Sequence, residues 1–254
     1  MLPHEPQNRL LALLPGADRA RLLSRGEPVQ LDRGQVVQVP GEPTSHVLLP
    51  QGSVVALIAR VDTHPGLAVG LVGAEGMVGG QAMLGSGREP VRAVVQGAGQ
   101  AWRLALPIFR TELAASLALR RTVGRYLGVL MTQRATAVGC LRYHEIGPRL
   151  ARWLLMSQDR ARSDSFSVTH EALAGMLGVR RVGITVAAGD LQRQGLIAYR
   201  RGEVRVLDRH GLQAAACSCY AADREVYARE MGAGRSHPGS DDGNVRVAPA
   251  LPQR

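Results

Sequence analysis

The chain has 254 residues, with 31 basic and 21 acidic side chains, a formal charge of +10, and arginine as its only strongly basic residue type. That surplus points to a polyanionic partner, while apolar runs well short of the ~20 residues of a membrane span argue against a membrane partner. Met1-Leu2-Pro3-His4-Glu5 lacks the basic start and apolar middle of a secretion signal, so a cytoplasmic location is expected. An enzyme is not expected, because no Gly-rich phosphate loop with Lys, Gly-x-Ser-x-Gly elbow or His-Glu-x-x-His pair is present.

Between residues 6 and 25, Leu10, Leu11, Leu13 and Leu14 before Pro15-Gly16, and Leu22-Leu23 after it, predict one or two short helices. From Glu27 the pattern shortens. Apolar runs at Val29–Leu31, Val37–Val39, His46–Leu49, Ser53–Ile58, Leu67–Val72, Val91–Val95 and Ala101–Leu104 are separated by Gly and Pro, which predicts an antiparallel β sandwich, roll or barrel. The glycines from Gly73 to Gly80 read as turns within it.

Pro107 suits the first turn of a helix, and nothing interrupts that helix until about Gly139. Leu113, Leu117, Val123, Leu127, Leu130, Met131, Ala135 and Val138 line one face of it. Such a helix either packs on the β domain or runs beside its copy in a dimer. Cys140 to His144 reads as a hinge, Ile146 to Leu155 as a further amphipathic helix, and Gln158 to Ser165 as a polar loop.

The stretch from Val168 to Leu207 carries the functional signal. Thr169 can cap a short helix bearing Leu173, Met176 and Leu177, Gly178 permits a tight turn, and a second helix follows with Ile184, Ala187, Ala188 and Leu191 on one face. Two helices about a glycine corner make a helix-turn-helix, although an ordinary helical hairpin has the same outline. Leu196–Tyr199, Arg200-Arg201-Gly202-Glu203 and Val204–Leu207 then read as a strand, a turn and a returning strand, that is, a wing. Seven arginines between 180 and 209 face three acids, the density that phosphate neutralisation needs. Arg181, Val182, Thr185 and Val186 are the candidate base readers: Arg181 can fork onto guanine and the valines can meet a thymine methyl. Arg180, Arg200, Arg201 and Arg205 are the candidate phosphate contacts, as are Thr169 and His170 unless they merely cap the first helix.

Asp208 can cap a last helix to about Met231, and the Gly-, Ser- and Pro-containing stretch 231–254 is expected to be a disordered tail. Cys140, Cys217 and Cys219 are too few and too scattered for a disulfide framework. The Cys217-Ser218-Cys219 spacing is not the usual one for structural zinc and no second pair balances it, so free thiols and no metal site are expected.

The order of parts resembles the Crp/Fnr family of bacterial transcription regulators over nearly the whole chain, most clearly at Pro40-Gly41-Glu42, Gln51–Ile58 and the winged helix from Thr169. The resemblance implies an α+β fold: a cyclic-nucleotide-binding-like β-roll of the double-stranded β-helix or jelly-roll type over 1–108, a long dimerisation helix over 109–139, and a winged helix-turn-helix over 140–230. It implies a homodimer on double-stranded DNA, with Leu113, Leu117, Val123, Leu127, Leu130 and Met131 at the interface, and it allows RNA polymerase as a further partner.

Departures from the family matter as well. The family's ribose-binding glutamate falls on Gly80 within Gly79-Gly80-Gln81, and its Arg-Ser pair falls near Pro90-Val91-Arg92 and is missing, although Arg92 could offer a charge. This effector pocket is therefore expected not to hold cyclic AMP, and no cofactor is expected. No cysteine precedes Cys140, so the iron–sulfur centre of oxygen-sensing relatives is not expected either. In the recognition helix Val182 and Val186 stand where many relatives carry Glu and Arg. The leading expectation is a sequence-specific regulator with a degenerate effector domain; a sensing or interaction module that has lost DNA reading is the alternative.

Overall fold

A computed structural model describes residues 8–60, 62–64 and 66–232. The tail expected over 231–254 lies outside the described residues beyond Gly232, and so does the start of the chain through residue 7.

Helices α1 (Arg9–Ala12) and α2 (Gly16–Ser24) lead into β1 (Glu27–Leu31), β2 (Val36–Gln38), β3 (His46–Pro50), β4 (Val54–Ala59), β5 (Leu67–Val72), β6 (Arg92–Gly97) and β7 (Gly99–Ala105). These strands form two antiparallel sheets, ordered β1-β7-β3 and β2-β6-β4-β5, with a short 3-10 helix at Gly80–Leu84 between β5 and β6. The expected N-terminal β-roll is thus present. Asn8 ties α1 to it, its amide donating to the Pro50 and Gly76 carbonyls at 2.8 Å while its oxygen accepts from Leu10 and Leu11.

β4 is apolar throughout because both its faces are covered. Val55 and Leu57 point into the core of the roll, whereas Val54 and Ala56 join a second core built with the C-terminal helices. Alternate side chains leave a strand on opposite faces, so two-sided burial removes the polar alternation.

The helix expected as one piece is two, α3 (Leu106–Ala115) and α4 (Leu117–Tyr143). Ser116 has extended backbone, and its hydroxyl accepts from Leu119 N at 3.0 Å and donates to Asp18 at 2.6 Å. A serine bonded in this way starts a helix better than it continues one. α4 also runs through the stretch read as a hinge, and the chain turns only at His144 and Glu145.

Beyond the turn come α5 (Ile146–Ala161), β8 (Ser165–Ser167), α6 (His170–Leu177), α7 (Arg181–Arg193), β9 (Ile197–Arg200), β10 (Glu203–Val206), α8 (Arg209–Ala215) and α9 (Cys219–Met231). The wing is a three-stranded sheet, β8-β10-β9, whose first strand was hidden in the polar loop because three residues carry too short a period to read. The last helix is likewise two, broken at residues 216–218. α9 packs back along α4, and Val226, Tyr227 and Met231 reach the core of the roll.

One buried ion pair fastens the C-terminal half to the roll. The Arg160 guanidinium on α5 meets Glu75 at 2.8 Å and donates to the Leu71 carbonyl at 2.9 Å, and Tyr227 donates to the Glu75 carbonyl at 2.7 Å. Glu75→Ala leaves the Arg160 cation buried and unpaired and is expected to cost about 3–5 kcal/mol in urea unfolding. Glu27→Ala, which breaks the exposed pair with Arg103, is expected to cost no more than about 1 kcal/mol; equal costs would contradict the assignment.

Candidate nucleic-acid interface

α6 and α7 build the site. The Thr169 hydroxyl accepts from Ala172 N at 3.1 Å, starting α6, and Gly178 ends it at φ 62°. The two helices meet at 110°, within the range of a helix-turn-helix. Ile184, Ala187, Ala188 and Leu191 seat α7 in the second core. The opposite face carries Arg181, Val182, Thr185 and Val186, all exposed. Val182 is 65% and Val186 59% exposed, so two β-branched apolar side chains sit in solvent on the face away from the core. Arg180 precedes the first turn of α7, and Arg200, Arg201 and Arg205 stand exposed on the wing. The structure therefore gathers the candidate base readers on one helix face and the four candidate phosphate arginines around its start and on the wing.

His170 opens α6 directly after the Thr169 cap. Its ring stacks on Tyr199 of β9 with centroids 4.5 Å apart, its Nδ1 lies 3.1 Å from the Thr185 hydroxyl, and its Nε2 is buried. Tyr199 in turn donates to the Val168 carbonyl at 2.5 Å, and its backbone N–H donates to the Gln192 side chain at 2.7 Å. His170 thus ties α7 to the wing, with Nδ1 engaged by Thr185 and Nε2 buried without a partner. Gln192, exposed on α7, joins the same linkage. Burial first, and the Arg181 charge second, hold the imidazole below its ordinary pKa of 6.5. The unfolded chain then takes a proton before the folded chain does, so the neutral ring contributes fully above about pH 6.5, and this contribution is lost as pH falls through the folded value. From about pH 7.5 to about pH 5.5 the native chain should lose more stability than His170→Phe, whose ring stacks without titrating; parallel losses would refute this tie.

Gly79 takes φ 87°, and a Cβ on Gly80 would meet Met77 Sδ at 3.2 Å and Leu127 at 3.5 Å. Gln81 donates to the Glu89 carboxylate at 2.5 Å and Gln38 donates to it at 2.7 Å, while Glu89 is 5% exposed. Burial raises the Glu89 pKa. Val91 is buried beside this cluster's strand, and Arg92 pairs in β6 with Ile58 of β4. The sequence offered no sign of Glu89, whose partner Gln38 is 51 residues away.

The residues expected at a dimer interface divide in two. Leu113 belongs to α3, and with Val123, Leu127 and Leu130 it is buried in the chain's own core, because that side of α4 covers the roll. Leu117, Met131 and Val138 are 53%, 67% and 64% exposed. With Gly124, Gly128 and Ala135 they recur at alternating spacings of seven, four and three, which draws a stripe down the outer face of α4.

The three cysteines are free thiols, and the fold gathers them beside a histidine. Cys140 and His144, one turn apart at the end of α4, meet Cys217 and Cys219 at the break between α8 and α9, and the four ligand atoms lie within 4.8 Å of one another. A hydrogen bond from Cys217, with His144 and the Arg152 charge adding to it, holds the Cys140 thiol well below its ordinary pKa. The i, i+4 spacing of Cys140 and His144 was the available signal, but it closes on Cys217 and Cys219 only in the fold.

Residues 148–215 match the family of Crp-like helix-turn-helix domains. Among solved structures, the chain is similar to a putative Crp/Fnr-family transcriptional regulator from Eubacterium rectale, at 16% identity over 82% of this chain and 98% of that one, with TM-score 0.63. It is also similar to the c-di-GMP responsive global regulator CLP of Xanthomonas campestris, at 18% identity over 76% and 99%, TM-score 0.62. A third likeness is to the CRP/FNR-family regulator TTHA1359 of Thermus thermophilus, at 21% over 75% and 98%, TM-score 0.60. No curated protein sequence matches. No single helix among the described residues is long and apolar enough to cross a membrane.

Proposed function

We propose, from a chain that carries a Crp-like helix-turn-helix domain and has the fold of Crp/Fnr regulators, that it is a transcription regulator that reads duplex DNA as a homodimer. The observation that carries this reading is the exposed face of α7: Arg181, Val182, Thr185 and Val186 point to solvent while the opposite face is locked into a core. Arg181 suits guanine O6 and N7, and the two valines suit thymine methyls. Arg180, Arg200, Arg201 and Arg205 supply phosphate contacts that set register and salt dependence without reading sequence.

The outer stripe of α4 supports a parallel pairing of two copies. Leu117, Met131 and Val138 supply apolar contacts, and Gly124 and Gly128 allow the backbones to approach closely. Two-fold pairing would present two recognition helices to a two-fold DNA site. Movement of the two heads, governed by the roll and carried by α4, is the proposed route of control.

The roll itself takes no cyclic nucleotide tightly in this account. Met77 and Leu127 occupy the space in front of Gly80, and the buried Glu89 carboxylate places a negative charge where the resemblance puts phosphate. Calorimetry with cyclic AMP should show no binding, and micromolar affinity would contradict this.

Arg181→Ala should cost about 1–3 kcal/mol of specific binding by fluorescence anisotropy and relax preference at its base, while Arg205→Ala should weaken all duplexes alike. Met131→Glu should yield a monomer in sedimentation equilibrium with unchanged circular dichroism. Unchanged binding by Arg181→Ala would favour a module without DNA reading.

A further inference from the structure

We propose that Cys140, His144, Cys217 and Cys219 form a mononuclear zinc site that staples the end of α4 to the α8–α9 break. Cys140 Sγ and Cys217 Sγ are 3.6 Å apart, as are Cys219 Sγ and His144 Nδ1. Ligand atoms about 2.0–2.3 Å from one ion in a tetrahedron lie about 3.5–3.8 Å from each other. The same closeness rules against an iron–sulfur cluster, whose several irons and sulfides must fit between the thiolates. Three thiolates and an imidazole in a tetrahedron suit zinc among the divalent ions.

The backbone explains how four distant residues converge. Cys140 and His144 share one face of α4, since residues four apart on a helix are neighbours. Cys217 N–H donates to the Pro148 carbonyl of α5 at 3.3 Å, and Tyr220 N–H donates to the Cys217 carbonyl at 3.0 Å, so the break between α8 and α9 is held with both flanking cysteines toward α4. A continuous helix through 217–219 would point those two sulfurs in different directions.

Charge gives an independent reason. Arg149 and Arg152, beside the cluster on α5, are 8% and 9% exposed. Asp223 pairs with Arg152 at 2.6 Å, whereas Arg149 donates to the Leu177 carbonyl and has no carboxylate partner among the described residues. That second cation needs a compensating negative charge close by. Three thiolates around a divalent ion carry one net negative charge and balance it, and buried cations need such a partner. Occupancy would fix the turn at His144 and Glu145, the junction between the long helix and the winged head.

The full-length chain, purified reduced and without chelator, should contain one zinc per chain by plasma mass spectrometry. X-ray absorption at the zinc edge should find three sulfurs near ~2.3 Å and one nitrogen near ~2.0 Å. Cobalt titrated into the metal-free chain should give tetrahedral thiolate bands that Cys140→Ser and Cys217→Ser abolish and His144→Cys retains. A reduced chain that takes up neither metal, a zinc shell without sulfur, or thiols that form only a Cys140–Cys217 disulfide would each overturn the proposal. The absorption measurement uses the native chain, so it decides the matter even if the serine variants fail to fold.

Discussion

Everything in the C-terminal half depends on the covering of the β4–β5 sheet from both sides. Val54, Ala56 and Leu71 face away from the roll, and α5 and α6 close over them, with α7 packed on those two helices. Fully burying even one such aliphatic side chain is worth about 1.5–3 kcal/mol, so the head and the roll share stability as well as a surface. Arg160 fixes the alignment that this apolar contact leaves free, since its Nε lies against both the Glu75 carboxylate and the Leu71 carbonyl. The reading helix is therefore placed by contacts that begin in the sensor-like domain.

Rigidity at the other end of the head comes from a polar chain. Thr185, His170 and Tyr199 connect the recognition helix to the wing, and Tyr199 continues to Val168 and Gln192. The exposed face of α7 and the wing are consequently linked through one set of contacts. That arrangement suits recognition in which phosphates set the register for base contacts.

Much of this was legible in the sequence, for identifiable reasons. The roll's strands were visible because Gly and Pro punctuate runs of β-branched residues, and the helix-turn-helix because Thr169, Gly178 and the Ile184–Leu191 stripe are each local signals. What escaped was set by distant partners. Ser116 looks like an ordinary helical serine until Asp18 accepts from its hydroxyl 98 residues away. The apolar face of the long helix could be read, but not its division, since Val123, Leu127 and Leu130 cover the roll while Met131 and Val138 stay outside. Glu89 gave no local signal, and the Cys140–His144 spacing gave only half of its cluster, because the remaining partners arrive through tertiary packing.

The most direct test of two-fold DNA reading is to let the purified full-length chain select from a random duplex pool and to sequence what it retains. The account predicts an inverted repeat with half-site centres about 34 Å apart, one turn of the double helix, bearing a guanine flanked by thymines within reach of Arg181, Val182 and Val186. Retention without sequence enrichment, or enrichment of a single unrepeated half-site, would contradict it.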